Sequence, residues 1–150
     1  MPTLAELVDA PLPSRAGDKR TPLEGKSLVP ALTGANVHDA VFSQYPRRPA
    51  DESVPWQSND IEHLSPDQFT FMGYSVRVDG WRYTEWLRWN QEQLAARWDE
   101  EGGLYAAELY DHREDDTAAT SYTANTPEVD NLAEGEEHQD VVRALSKLIR

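Results

Sequence analysis

The feature that most constrains the fold is a pair of alternating segments joined by a two-residue turn. Between residues 69 and 78, successive side chains alternate between the two faces of a predicted strand. Asp79-Gly80 is a strong hairpin-turn dipeptide, so residues 81–89 are predicted to return antiparallel. One face of the first strand carries Met72, Tyr74, Val76 and Val78, and the other carries Gly73, Ser75, Arg77 and Asp79.

Two further strands are predicted on either side of this hairpin. Residues 39–45 are predicted as one strand, which Pro46 and Pro49 stop, and residues 104–110 are predicted as another after Gly102-Gly103. Between the hairpin and the last strand, residues 90–98 are rich in helix-forming side chains, which favours a short helix there.

The C-terminal segment has the periodicity of an amphipathic helix. Its apolar residues follow the i, i+1, i+4, i+7, i+8 pattern, and they are Val141, Val142, Leu145, Leu148 and Ile149. Together the elements predict an α+β fold. We expect a small antiparallel sheet of three to four strands, covered by the C-terminal helix and connected by long irregular loops.

The first residues fit a short helix with a capping box. Thr3 stands three residues before Glu6, which predicts Thr3 as the N-cap. Long connections are predicted over residues 11–24, 46–68 and 112–135, which are rich in proline or acidic residues.

The charge of the chain disfavours two classes of partner. Its 150 residues include 27 acidic and 14 basic side chains, for a net charge of −13. Phosphate binding requires clustered Lys and Arg, so we expect no nucleic-acid partner and no anionic membrane surface. There is no cysteine, no apolar run of about 20 residues, and no signal-peptide pattern at the start of the chain.

Several segments resemble the C-terminal region of sulfatases, members of the alkaline-phosphatase-like superfamily. Residues 2–7 and 23–30 look like a stretch that sulfatases share widely. Residues 42–47, the tract 72–86 and residues 103–111 are most similar to the iduronate-2-sulfatase branch, as are Asn131-Leu132-Ala133 and the closing helix. The chain departs from the pattern at Asp115-Asp116-Thr117, where an Asp-Pro pair is usual.

The resemblance implies a domain organisation. Residues 1–37 would be the tail end of an N-terminal sulfatase domain and a linker, and residues 38–150 a C-terminal sulfatase subdomain. The missing N-terminal sulfatase domain is then the expected partner, together with a sulfated sugar. Related full-length enzymes are usually exported or lysosomal, and this chain carries no signal peptide of its own.

The resemblance also implies a chemistry whose parts are absent here. Similar enzymes hydrolyse sulfate monoesters with a formylglycine made from Cys or Ser in a Cys/Ser-x-Pro-x-Arg motif, beside a calcium ion. The segment Ser53-Val54-Pro55 has the right spacing, but Gln57 stands where the motif has Arg. Asp111-His112 imitates a metal pair, yet it is predicted as a strand end. We therefore expect no catalytic residue, metal ligand or cofactor in this chain; calcium and formylglycine are implied for the full-length enzyme.

Five residues are candidate substrate contacts. They are Gln44, Tyr45, Arg47, Arg77 and Trp86. The first three end a predicted strand at the mouth of a long loop, and this region supplies part of the pocket rim in similar enzymes. Arg77 could bind a carboxylate or sulfate, or form an ion pair with Asp79 or Glu85. Trp86, like Trp81, Trp89 and Trp98, could stack on a sugar or simply pack against the sheet.

Two functions compete on this pattern. The first is a C-terminal fragment of an iduronate-2-sulfatase-like sulfuric ester hydrolase, which contributes structure and part of the pocket rim and is inactive alone. The alternative is a non-catalytic glycan- or protein-binding module, in which the tryptophans and Arg47, Arg48 and Arg77 bind an acidic sugar or a protein.

Overall fold

The computed structural model describes residues 1–12, 23–47, 65–114 and 128–150. The chain divides into two compact units, Met1–Asp39 and Ala40–Arg150. This division lies close to the boundary predicted after residue 37. The assignment of the first unit to the end of a larger sulfatase domain stays a prediction. In the described parts of both units, no helix is both long enough and apolar enough to cross a bilayer.

The first unit contains a short helix, α1 (Pro2–Leu7), and a 3₁₀ turn at Val29–Thr33. The predicted capping box is wrong, because Met1 occupies the N-cap position and Pro2 begins the helix. Proline suits this first position, since its missing N–H would have no intrahelical acceptor. The Thr3 hydroxyl instead accepts a hydrogen bond from the backbone N–H of Leu28 at 3.0 Å, which joins α1 to the 3₁₀ turn.

The second unit is built on an antiparallel sheet, which confirms the predicted fold class. Its strands are β1 (Ala40–Arg47), β2 (Phe71–Val78), β3 (Trp81–Asn90), β4 (Ala95–Ala96) and β5 (Leu104–Asp111). The order is β1-β2-β3, and both β4 and β5 pair with β3. The β2–β3 hairpin turns at Asp79-Gly80, where Gly80 has a φ of 72°. Glycine adopts this backbone conformation without steric cost.

The predicted helix over residues 90–98 is wrong. Instead, β3 continues to Asn90, and the chain turns back into the two-residue strand β4. The Asn90 side chain explains the turn, because its Oδ1 accepts hydrogen bonds from the backbone N–H groups of Glu92 and Gln93, each at 3.0 Å. Leu94 adopts a positive φ of 51° there. A local side-chain acceptor and a left-handed residue together override the helix propensity of the segment.

One face of the sheet is covered by the C-terminal helix α2 (Gln139–Ile149), as predicted. Val76, Tyr83 and Leu109 come from three adjacent strands and pack with Leu145 of α2 and with Ala133. All five are buried, and Val76 and Leu109 are fully so. Burial of apolar surface contributes about 25 cal/mol per Å², so the packing of this cluster stabilises the contact between the sheet and α2.

The opposite face of the sheet, here called the outer face, carries a different set of side chains. Side chains alternate between the two faces along a strand, so the residues next to Val76 in β2, Tyr83 in β3 and Leu109 in β5 point to the outer face. Their cross-strand partners in β1 point the same way. The cross-strand register arranges them in four rows. In order along the strands, the rows are Val41, Arg77, Arg82 and Tyr110; Ser43, Ser75, Thr84 and Glu108; Tyr45, Gly73, Trp86 and Ala106; and Arg47, Phe71 and Arg88.

Candidate functional site

The outer face collects most of the residues proposed as substrate contacts. Tyr45, Arg47 and Trp86 lie in two neighbouring rows, and Arg77 lies in the row at the far end. Gln44 is the exception, because it pairs with Tyr74 and so belongs to the face that carries α2. The alternation of β1 therefore separates Gln44 from the other four candidates.

Trp86 lies flat on Gly73 in the centre of the outer face. A Cβ atom at Gly73 would come within 2.6 to 2.9 Å of three indole carbons, so only glycine allows the ring to sit there. The indole Nε1–H donates to Oε1 of Glu108 at 2.9 Å. This hydrogen bond sets the direction in which the edge of the ring points. The guanidinium of Arg47 lies over the ring, 4.8 Å from its centroid, in cation–π geometry.

Two shallow grooves flank this arrangement and share Arg47, Trp86 and Glu108. The aromatic groove has a volume of about 240 Å³, and its other lining residues are Phe71, Tyr105 and Ala106. The polar groove has a volume of about 220 Å³. Its other lining residues are Ser43, Tyr45, Gly73, Ser75, Arg82 and Thr84.

The floor of the polar groove is made of hydroxyl groups. Ser43, Ser75 and Thr84 are cross-strand neighbours in one row, which is called the hydroxyl row below. The Thr84 hydroxyl donates to the Ser75 hydroxyl at 2.9 Å, and Ser75 donates in turn to the carbonyl of Tyr83 at 3.2 Å. Small polar side chains thus leave room above the sheet and offer oxygen acceptors to a ligand.

Arginines on the outer face stack on aromatic rings. Arg82 lies over Tyr110 at 5.4 Å, and Arg88 lies over the ring of Tyr105 at 5.3 Å. Arg82 also forms an ion pair with Glu128. Burial, with Glu108 and Glu128 as further causes, raises the pKa of Tyr110 above its usual value. Among the described residues of β1, β2 and β3, the outer face thus carries the arginines Arg47, Arg77, Arg82 and Arg88.

Arg77 has fewer possible partners than the sequence suggested. Glu85, one of the carboxylates considered for it, lies on the α2 face and forms an ion pair with Arg150 at 3.1 Å. Arg77 itself is exposed on the outer face. The predicted ion pair between Arg77 and Glu85 is therefore wrong, because the two side chains lie on opposite faces of the sheet.

The other candidates from the sequence are the Ser53–Gln57 segment, Arg48 and the Asp111-His112 pair. The segment Ser53–Gln57 and Arg48 lie outside the described residues. Asp111 ends β5 as predicted, and hydrogen bonds from Arg113 lower its pKa to about 2. In the part of the chain that the structure describes, no group of three or more His, Cys, Asp or Glu residues could hold a metal ion.

Three other tryptophans make packing contacts. Trp81 contacts the His138 ring at 5.6 Å, and Trp89 contacts Phe69 at 6.0 Å. Trp98 contacts Tyr74 at 4.6 Å. Trp86 is distinguished from them by its place between two grooves.

Sequence reasoning missed Glu108 and the hydroxyl row. Ser43, Ser75, Thr84 and Glu108 are far apart in the sequence and have no motif of their own. The alternation that placed Ser75 on the outer strand face was the available signal. Only the register between strands brings these four residues into one row.

Comparison with known proteins relates this chain to one group of enzymes. It is 32% identical to the human iduronate 2-sulfatase (Homo sapiens) and 31% identical to the mouse iduronate 2-sulfatase (Mus musculus), each over 124 residues. The match covers 73% of this chain but only 21% of either relative. The chain thus spans about a fifth of the length of the curated relatives it matches. No protein-family model matches the chain.

Proposed function

Because this chain contains a sulfatase-related region, we propose that it serves as a non-catalytic C-terminal subdomain of an iduronate-2-sulfatase-like enzyme. In this role it contributes structure and part of the rim of the substrate pocket. It has no sulfatase activity alone. The complete enzyme hydrolyses a sulfate ester on a sugar, which is the chemistry that the names of the two relatives carry.

The observation that carries the proposal is the combination of identity and coverage. A match at 32% identity over 73% of this chain relates most of its residues to a known enzyme. The same match covers 21% of that enzyme, so most of the enzyme's length has no counterpart in this chain. A region of this kind acts through what it adds to the remainder of the enzyme.

The chemistry of the residues supports a non-catalytic role. Sulfate ester hydrolysis requires a nucleophile and a cation beside the sulfate oxygens. The chain has no cysteine and no Ser-x-Pro-x-Arg sequence. The described residues also do not fit a calcium site, as they contain no cluster of metal-binding side chains. The proposal therefore places no catalytic step in this chain, and it assigns the formylglycine and the calcium ion to the remainder of the enzyme.

The outer face supports the proposal of a pocket rim. Tyr45, Arg47 and Trp86 are held together by the register of β1, β2 and β3, and the grooves beside them have polar and cationic walls. A rim that recognises a sulfated sugar needs hydrogen-bond donors for the anionic group and a flat apolar surface for the ring. This face offers both.

A direct test is to incubate the purified chain with an aryl sulfate and calcium and to measure phenol release. We expect no turnover above the background of a heat-treated sample. Turnover that a point substitution within these 150 residues abolishes would contradict the proposal.

The polar groove favours a second candidate function, a non-catalytic glycan-binding module. Such a module would bind a sugar saturably as a cooperatively unfolding monomer. A sulfatase subdomain is instead expected to depend on the rest of the enzyme, because an uncovered sheet edge and apolar surface promote association. Sedimentation combined with glycan titration separates the two candidates.

A further inference from the structure

We infer that the free edge of β1 pairs with the same edge of a second copy of this chain, in an antiparallel register centred on Phe42. This inference goes beyond the proposed function, which concerns the outer face of the sheet. It follows from the backbone of β1, from the side chains on its two faces and from the contrast with the opposite edge of the sheet.

The two edges of the sheet differ in how they are covered. At the β5 edge, the Asn131 side chain accepts from the N–H of Leu109 and donates to the carbonyl of Ala107. Beside it, the N–H of Leu132 donates to the carbonyl of Leu109 at 2.9 Å. β1 ends the sheet on the other side, and no strand of the described residues pairs with its outer edge. An unpaired edge of this length is a template for another strand.

The backbone groups that face this free edge belong to Ala40, Phe42 and Gln44. The carbonyl of Arg47 accepts a hydrogen bond from the N–H of Thr70 at 3.0 Å, so the backbone of Arg47 faces β2. Backbone groups alternate in direction along an antiparallel strand. The N–H and C=O groups two, four and six residues before Arg47 therefore face β2 as well, and those of the three residues between them face away from it.

Before Pro46, β1 carries none of the features that block strand pairing. Its register with β2 is continuous from Ala40 to Arg47, so no bulge bends it. Residues 40–45 include no charged side chain, although the chain has a net charge of −13. Pro46 stands on the outward side, where its missing N–H costs no hydrogen bond to β2 and limits further pairing to the residues before it.

A second copy fits this edge because the strand is complementary to itself. When two β1 strands pair antiparallel with Phe42 opposite its own counterpart, Ala40 lies opposite Gln44 of the second copy, and Gln44 lies opposite Ala40. These three pairs use every outward N–H and C=O group between Ala40 and Gln44, because each hydrogen-bonded pair exchanges two bonds. One two-fold axis through Phe42 relates the copies, which gives a closed dimer.

Phe42 is the side chain that this pairing buries. It lies on the α2 face and is 57% exposed, whereas its cross-strand partner Val76 is 0% exposed. The helix therefore shields the second strand of the sheet but not the first. In the dimer the two Phe42 rings become direct cross-strand neighbours, and aromatic pairs of this kind stabilise a sheet. On the outer face, Val41 lies opposite Ser43 of the second copy.

The charge on β1 permits the pairing. Arg47 is the one charged residue of the strand, and in this register it lies about ten residues along the seam from its counterpart, a separation of roughly 33 Å. This separation exceeds the screening length of about 8 Å at physiological ionic strength. The two guanidinium groups therefore do not oppose association.

The first test is sedimentation equilibrium of the full 150-residue chain over a range of concentrations, at an ionic strength of about 0.15 M. We expect a monomer–dimer equilibrium with a dissociation constant in the micromolar range, because an interface of one strand per copy is small. Gln44→Pro removes an outward N–H from each copy and should weaken dimerisation by roughly tenfold or more. Gln44→Ala keeps this N–H and is the matched control, which should dimerise as the wild type does.

The second test determines the register by disulfide formation. The chain has no cysteine, so a single introduced cysteine cross-links only to its counterpart. Phe42→Cys places the two Cα atoms roughly 5.5 Å apart across the seam, which is within disulfide range. Tyr45 is matched in exposure, at 53% against 57% for Phe42. Tyr45→Cys lies roughly 20 Å from its counterpart, however, so we expect a disulfide-linked dimer from Phe42→Cys and none from Tyr45→Cys.

Thermal unfolding shows which variants are folded, and the two cysteine variants still decide the inference if Gln44→Pro does not fold. Three results would overturn it. They are a cooperatively unfolding wild-type chain that stays monomeric up to millimolar concentration, equal dimerisation of folded Gln44→Pro and Gln44→Ala, and equal cross-linking of Phe42→Cys and Tyr45→Cys. None of these results bears on whether the region functions inside a sulfatase, which is measured by sulfate release from an enzyme that contains it.

Discussion

Glu85 of β3 accepts a hydrogen bond from the hydroxyl of Ser146 in α2 at 2.6 Å. The same carboxylate accepts hydrogen bonds from the Tyr83 hydroxyl at 3.0 Å and from Arg150 at 3.1 Å. Glu85 is only 1% exposed, so its charge is stabilised by these three donors rather than by water. The carboxylate thus joins the sheet to its covering helix.

Replacement of Glu85 by alanine is expected to destabilise the chain by about 3 kcal/mol. Removal of one member of a buried charged network leaves the other members unsatisfied, and here the Tyr83 and Ser146 hydroxyls both lose their acceptor. The measurement is the free energy of unfolding in urea. Arg143→Ala, which breaks an exposed ion pair with Asp140 on α2, should cost about 1 kcal/mol or less. Equal losses in the two variants would show that Glu85 does not hold the helix to the sheet.

Gly73→Ala is expected to displace the Trp86 ring and to cost about 1–3 kcal/mol, because the added methyl group overlaps the indole. Near-ultraviolet circular dichroism reports the ring, and urea unfolding reports the free energy. The matched control is Gly25→Ala, where the nearest atoms are 3.8 Å away.

A double-mutant cycle separates the clash from a general effect on the strand. In a Trp86→Ala background, Gly73→Ala should cost less, since the ring that it meets is gone. The same cost in both backgrounds would show that Gly73 is required for a reason other than the position of Trp86.

The sheet could be predicted from the sequence because its signals are local. The alternation around Val76, the turn at Asp79-Gly80 and the periodicity through Leu145 each specify one element, and all three are confirmed. The helix expected near Leu94 failed because one side chain, Asn90, redirects the backbone. Helix propensity does not include such tertiary and turn contacts.

The candidate site was less predictable, because it depends on contacts between strands. The resemblance and the residue types indicate Tyr45, Arg47 and Trp86 as candidates. Their proximity follows from the register of β1 on β2 and of β2 on β3, which no local signal specifies. For the same reason the sequence does not indicate Glu108, although its hydrogen bond holds Trp86 in place.

Asn131→Ala is expected to destabilise the chain by about 2 kcal/mol or more. The Asn131 side chain pairs with the free edge of β5, where it accepts from the N–H of Leu109 at 3.0 Å and donates to the carbonyl of Ala107 at 2.9 Å. Loss of these bonds exposes part of an edge strand. Asn131→Asp keeps the acceptor for the N–H of Leu109 but loses the donor to Ala107, so its cost should be smaller. Urea unfolding and light scattering measure stability and association. An unchanged midpoint for Asn131→Ala would contradict this role.

The stability of the chain is expected to fall above pH 10. Burial, followed by the nearby carboxylate of Glu85, raises the pKa of Tyr83 above its ordinary value of 10.0. The folded state therefore retains a proton that the unfolded state loses, so the stabilisation is complete below pH 10 and declines as the pH rises further. Tyr83→Phe removes this titration. Urea midpoints between neutral and strongly alkaline pH should fall less steeply for Tyr83→Phe than for the wild type. Equal slopes would mean that Tyr83 ionises alike in both states.

The most direct measurement of the central claim is the activity of a chimera. In the human relative, the segment that matches this chain would be replaced by the corresponding residues of this chain, and sulfate release would be measured after thermal unfolding has shown that the chimera is folded. The account predicts that the folded chimera retains sulfatase activity, while the isolated 150-residue chain has none. A chimera that folds cooperatively but releases no sulfate would contradict the claim that this region is a sulfatase subdomain.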